Sequence, residues 1–132
     1  MSEENIEIAL AAAEAWNRGD RDALMILYDE EAEFYPLRAQ LEGESYSGHE
    51  GLMRFLDEMT QDFEEVRFEV EETRDAGEQL VGIGRFLARG RASGVDLNVP
   101  LGVLARMRRG KIVYMRFFSE PADALEAAGL SE

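Results

Sequence analysis

Near residue 64 the spacing of apolar residues in this 132-residue chain changes from about 3.6 to 2, and few folds accommodate that order. Before it, Ile6, Leu10, Ala13 and Trp16 recur at steps of four and three, one face of a helix. Ser2 is placed to cap that helix, Glu3 and Glu4 fall in its first turn, and Asn17-Arg18-Gly19 ends it. Asp20 is placed to cap a short second helix in which Leu24, Leu27 and Tyr28 share a face. Residues 31–37 alternate like a strand, with Pro36 favouring an edge or a strand end. Ser47-Gly48-His49-Glu50 reads as a capping box for a third helix, which Leu52, Phe55, Leu56, Met59 and Phe63 continue. After the change, Val66, Phe68 and Val70 alternate with charged residues, and further alternating runs follow at 80–92, 95–108 and 111–118. Pro121 suits the first turn of a C-terminal helix that Gly129 ends. The order predicts an α+β fold in which N-terminal helices cover one face of a long meander.

The turns assign the register. Ser93-Gly94 fits a two-residue hairpin loop, pairing Ala88 with Val99, Phe86 with Leu101 and Gly84 with Val103, so that one face is wholly apolar. On the other face Arg91 meets Asp96 and Arg89 meets Asn98. For Val66, Phe68 and Val70 to join the apolar face, the preceding connection must contain an odd number of residues, and Asp75-Ala76-Gly77 supplies a loop of three. Pairing across Arg109-Gly110 sets Ala105 against Tyr114, Val103 against Arg116 and Leu101 against Phe118, which brings Arg116 onto the apolar face. Gly82, Gly84 and Gly90 lie in strand interiors, where glycine costs stability unless the sheet bends or another backbone comes close. A strongly curved sheet is expected.

Composition narrows the chemistry. The length suits one domain spanning residues 1–132. With no Cys and one His, disulfides, thiolate metal sites and thiol catalysis are excluded, and neither a metal nor another cofactor is expected. Gly82-x-Gly84 lies inside a strand and lacks the helix that a dinucleotide fingerprint requires. The N-terminus is acidic and no apolar run reaches the ~20 residues needed to span a bilayer, so a cytoplasmic protein is expected. The net charge of −14 argues against nucleic acid and anionic membrane surfaces as partners. That charge is uneven: residues 85–116 carry eight bases against one acid, Asp96, and the rest six bases against 27 acids.

Ala15-Trp16-Asn17-Arg18-Gly19-Asp20, Tyr46-Ser47-Gly48-His49-Glu50-Gly51, Ser93-Gly94-Val95, Arg109-Gly110-Lys111-Ile112 and the segment Ala124 to Leu130 resemble those of SnoaL-like proteins. That family belongs to the nuclear transport factor two-like superfamily, with ketosteroid isomerase, limonene epoxide hydrolase and the polyketide cyclases. The resemblance spans nearly the whole chain. It implies a cone-shaped, strongly curved mixed or antiparallel sheet, closed by helices around an apolar pocket, with a homodimer built on the sheet's outer face. A small hydrophobic molecule is the implied ligand. The superfamily hosts enzymes and binding proteins on one scaffold, so the resemblance alone names no reaction.

On the expected register Arg116 is the first candidate for ligand binding, since a guanidinium on an apolar face needs a carboxylate, such as Glu50, or an anionic ligand. Tyr114 and Phe118 share its face, and one of Phe34 and Tyr35 turns inward from the first strand. Trp16 has the spacing of a core residue and, by the resemblance, a place near the pocket. For an isomerase or cyclase, Glu120 and His49 are the candidate bases, and Tyr114, Tyr35 or Arg116 the polarising group. The central strands place no Asp or Glu on the apolar face, which favours the alternative of a non-catalytic dimeric accessory or sensor protein with a vestigial pocket.

Overall fold

A computed structural model describes residues 2–130. Helices α1 (Ser2–Arg18) and α2 (Arg21–Leu27) lead into β1 (Tyr28–Tyr35), followed by the short α3 (Leu37–Glu42), the two-residue β2 (Tyr46–Ser47) and α4 (Gly48–Asp62). The meander is β3 (Phe63–Ala76), β4 (Gln79–Gly90), β5 (Asp96–Arg108) and β6 (Lys111–Phe118), and α5 (Pro121–Ala127) closes the order. The six strands form one sheet in the order β2-β1-β6-β5-β4-β3. It is mixed, because β1 runs parallel to β6 and the other pairs are antiparallel. The expected α+β class with N-terminal helices and a short C-terminal helix is what the chain adopts. No helix among the described residues is long and apolar enough to cross a membrane.

The segments between helices act as fasteners. Asp20 accepts a hydrogen bond from Ala23 N at 3.1 Å, capping α2, and this bond with the Arg18 charge holds its carboxyl below the usual range. A depressed carboxyl stabilises the fold above its unfolded pKa and loses that effect as pH falls through its folded pKa. Asp20→Ala is therefore expected to lower the melting temperature at pH 7, with the gap from the parent narrowing at pH 3; an equal gap at both would contradict the charged cap. Asn17 clamps α1 to β3 by donating to Phe68 O at 3.0 Å and accepting from Phe68 N at 2.9 Å. At the other end of the helical layer, Ser47 takes the N-cap position of α4 but makes no side-chain cap bond, so the expected capping box does not form. Gly48 instead holds φ +69°, where an added Cβ would meet Glu30 O at 2.8 Å, and His49 Nε2 lies 2.8 Å from Tyr28 O. The family-like segment 46–51 thus seats α4 on β1.

The sheet register departs from expectation at each hairpin. β4 and β5 pair Arg89 with Asp96, Phe86 with Val99 and Gly84 with Leu101, two residues from the expected register. The connection is longer than Ser93-Gly94 because Gly94 N donates to Gly90 O and Gly90 N to Val95 O, while Arg91 leaves the ladder to bond Asp62 O and Thr60 O at the end of α4. A two-residue slip preserves the faces, so the apolar face survives. Between β3 and β4 the turn holds two residues, Gly77 (φ +81°) and Glu78, and the odd residue reappears as a bulge between Val70 and Glu72. Val66, Phe68 and Val70 therefore do share a face with Ala88, Phe86 and Gly84.

The third departure reverses a face. β5 and β6 begin as expected, with Met107 opposite Ile112, but the register shifts between Arg106 and Met107, and beyond it Val103 faces Phe117 and Leu104 faces Arg116. A one-residue bulge turns every later side chain to the opposite side. Met115 and Phe117 point toward the helices, and Tyr114, Arg116 and Phe118 away from them.

Both faces of the sheet are used. α1, α2 and α4 pack on the concave side, where Ala12, Ala15, Leu24, Tyr28, Leu52 and Ile112 form a core cluster. α5 packs on the outer side, Ala124 and Leu125 against Val81 and Leu104. Gly102 permits this contact, since an added Cβ would lie 2.9 Å from the Ala124 methyl.

Candidate functional site

The concave face does not fill completely. A cavity of about 80 Å³ remains between α1, α4 and the sheet. Small residues on α1 (Ala9, Ala12 and Ala13) form its roof and leave the space that larger side chains would occupy. Trp16, Phe55, Phe34 and Phe117 make an aromatic wall, with ring centres 5.5 Å apart for Trp16–Phe55, 4.8 Å for Phe34–Phe55 and 5.2 Å for Phe34–Phe117. The floor is sheet: Leu80, Gly82, Phe86, Leu101 and Val103 all line it.

Its polar content is small. Among the described residues the lining includes no Asp, Glu, His, Lys or Arg, and its side-chain polar groups are the Trp16 indole, the Tyr28 hydroxyl and the Thr73 hydroxyl. Tyr28 donates to Met115 Sδ at 3.2 Å, and burial pushes its pKa far above the phenol range, so it stays a neutral donor at any physiological pH.

A wider vestibule of about 250 Å³ adjoins the cavity and shares Phe55, Met59, Phe86, Leu101 and Phe117 with it. Here two carboxylates appear, Glu58 and Asp62, one helical turn apart on α4. The Tyr46 hydroxyl donates to Glu58 Oε1, and the Arg54 guanidinium lies 4.3 Å from the Tyr46 ring centre. On the other side of the cavity Trp16 and Met59 also border an open polar groove between α1 and β3.

The expected site residues divide. Trp16 lines the cavity. Arg116, Tyr114 and Phe118, placed on the apolar face by the expected register, are corrected to the outer face by the β6 bulge. Tyr35 goes with them, opposite Arg116, while Phe34 points inward. On that outer face Tyr35 and Tyr114 rings lie 5.5 Å apart, and the Arg106 guanidinium sits 4.4 Å from the Tyr114 ring centre. The Tyr35 hydroxyl donates to Glu33 at 2.9 Å, which with that carboxylate's charge raises its pKa. Arg116 rests 5.4 Å from the Phe118 ring centre, its Nε buried without a hydrogen-bond partner; the expected pairing with Glu50 is absent among the described residues. His49 is engaged with the β1 backbone, and Glu120 stands exposed at the start of α5. Of the expected site residues only Trp16 reaches the cavity lining; Tyr35, Tyr114, Arg116, Phe118, His49 and Glu120 are all elsewhere. Glu58 was missed, although its place three residues after Phe55 and beside Met59 put it on the border of the apolar helix face.

Residues 9–115 match the SnoaL-like domain family. Among curated proteins none matches the sequence. Several solved structures share the fold. One is a nuclear transport factor two-like protein of unknown function from Burkholderia pseudomallei, 17% identical, with a TM-score of 0.80 over 93% of this chain and 95% of that one. A protein with a ketosteroid isomerase-like fold from Catenulispora acidiphila, in complex with trimethylamine, is 21% identical, with a TM-score of 0.76 over 94% and 93% of the two chains. A candidate SnoaL-like polyketide cyclase from Jannaschia sp. is 19% identical, with a TM-score of 0.78 over 89% and 85%. At these identities the likeness is one of fold.

Proposed function

The chain belongs to the SnoaL-like domain family, and from that premise we propose that it binds a small hydrophobic molecule in the cavity between α1, α4 and the concave face of the sheet. The observation that carries this reading is the lining: apolar and aromatic on all sides, with three neutral polar groups to orient a ligand. Apolar concave sites with a few convergent polar groups are the usual form of small-molecule pockets. Binding is preferred to isomerase or cyclase chemistry because proton transfer from carbon needs a base aimed at the substrate, and the cavity lining itself supplies neither carboxylate nor imidazole among the described residues; the vestibule carboxylates Glu58 and Asp62 stand outside it, and Glu58 already accepts the Tyr46 hydroxyl. A second copy of the chain is proposed to pack on the part of the outer face that α5 leaves uncovered, where Arg85, Arg89 and Arg106 stand out from an otherwise acidic protein.

Trp16 is the sole tryptophan and lines the cavity, so its fluorescence reports occupancy directly. Camphor, limonene and 2-naphthol, sized for the cavity of about 80 Å³ and the adjoining vestibule of about 250 Å³ taken together, are suitable neutral probes. At least one is expected to change Trp16 emission saturably and to raise the melting temperature, the stabilisation reaching about 2.7 kcal/mol at 100 times its Kd. If all three leave both signals unmoved up to their solubility limits, the binding reading fails.

A further inference from the structure

The geometry points to a specific class of ligand for the vestibule: an apolar molecule carrying a protonated amine, with its ammonium held by Glu58 and its body turned toward the cavity. This rests on the reading of the cavity as a binding site and adds the head-group chemistry. Glu58 is half-buried on the vestibule wall, and one of its carboxylate oxygens accepts the Tyr46 hydroxyl. No basic side chain among the described residues pairs with it. The nearest cation on its helix, Arg54, is turned to the Tyr46 ring. Tyr46 is itself buried among Phe34, Ala39 and Phe55, so the carboxylate is aimed by a fixed partner rather than left to sample rotamers.

Opposite Glu58 the walls are aromatic. Phe63 and Phe86 meet edge to face with centres 6.0 Å apart, and Phe55 and Phe117 line the side shared with the cavity. Ring faces attract an ammonium and have no such attraction for a carboxylate. A desolvated amine needs both kinds of contact, a counter-charge for its hydrogen-bond donors and polarisable surface for its remaining shell, and the vestibule presents them together. The field of the whole molecule acts in the same direction. A net charge of −14 concentrates cations near the mouth and repels anions. An anionic amphiphile of the same shape would meet Glu58 directly and gain nothing from the rings.

The test compares three molecules of one shape at pH 7: benzylamine, protonated there, benzyl alcohol and benzoate, each titrated calorimetrically into the full chain and into Glu58→Gln. Glutamine keeps an acceptor for the Tyr46 hydroxyl and removes only the charge, and circular dichroism with a melting curve verifies that the variant folds. Benzylamine is expected to bind at least about tenfold more tightly than benzyl alcohol, with benzoate weakest. In Glu58→Gln that preference should fall to about twofold or less while benzyl alcohol keeps its affinity. Equal binding of amine and alcohol would overturn the inference, as would a preference that survives in Glu58→Gln. Failure of all three to bind would overturn it too. A positive response to 2-naphthol in the same preparation then shows that the cavity reading stands without it, whereas no response to any neutral probe removes both.

Discussion

Gly84→Ala is expected to cost about 4 kcal/mol or more, a large share of the roughly 5–15 kcal/mol by which an ordinary domain is stable. Gly84 lies in the middle of β4, paired with Val70 on one side and Leu101 on the other. The bulge between Val70 and Glu72 carries the β3 backbone toward it, so an added Cβ would sit 1.8 Å from Glu69 O and 2.8 Å from Glu69 C. Real Cβ atoms do not approach a carbonyl so closely, and the obstacle is backbone in a continuous ladder rather than the end of a flexible side chain. Relief requires β3 to slide or the bulge to disappear. Losing the bulge would move Val66, Phe68 and Val70 to the outer face, because side chains alternate with every residue. A melting temperature lowered by at least about 12 °C, or a variant recovered without cooperative unfolding, is the expected observation. A variant melting within a few degrees of the parent would show that β3 is not held as described.

Two residues earlier, on the same strand and face, the opposite result is expected. An added Cβ at Gly82 would meet nothing within 4 Å, since it would project into the cavity that Gly82 helps to line. Gly82→Leu should fill much of that space from the floor. Apolar ligand affinity is then expected to drop by at least about 30-fold, some 2 kcal/mol. Stability should hold or rise by about 1 kcal/mol, because leucine suits a strand better than glycine and fills a void. Fluorescence titration of Trp16 together with a melting curve reads both quantities. Retained affinity would place the ligand elsewhere; a large loss of stability would mean the space is not there. Two glycines that look alike in the sequence are thus separated by what faces them, a carbonyl in one case and an empty pocket in the other.

That contrast describes how far the sequence could be read. Helix faces were legible because burial on one side leaves a repeat of three and four residues, and α1, α2 and α4 lie where Trp16, Leu24 and Phe55 indicated. The apolar face of β3, β4 and β5 was legible for the same reason, and it persisted when the β4–β5 hairpin was found two residues out of the expected register. An even slip changes partners without changing faces. α3 and β2 carry too few residues for a period to show, and α3 even exposes Leu41. The site was least legible. Counting from Gly110 turns Arg116 inward, and one unpaired residue between Ile112 and Tyr114 reverses it.

Sequence by itself determined the α+β class, the order of helices and strands, the acidic body with a basic sheet segment, and the family whose segments it shares. These follow from local spacing and composition, which packing can only accept. The tertiary structure decided what spacing does not encode: which strands carry a bulge, and therefore that Phe34 and Phe117 face the cavity while Tyr35 and Arg116 face outward. It also brought Glu58 beside Tyr46 at the vestibule. A bulge is a single residue whose cost is balanced by contacts elsewhere in the sheet, so its position is settled by the fit of β6 between β1 and β5 rather than by the residues of β6 alone.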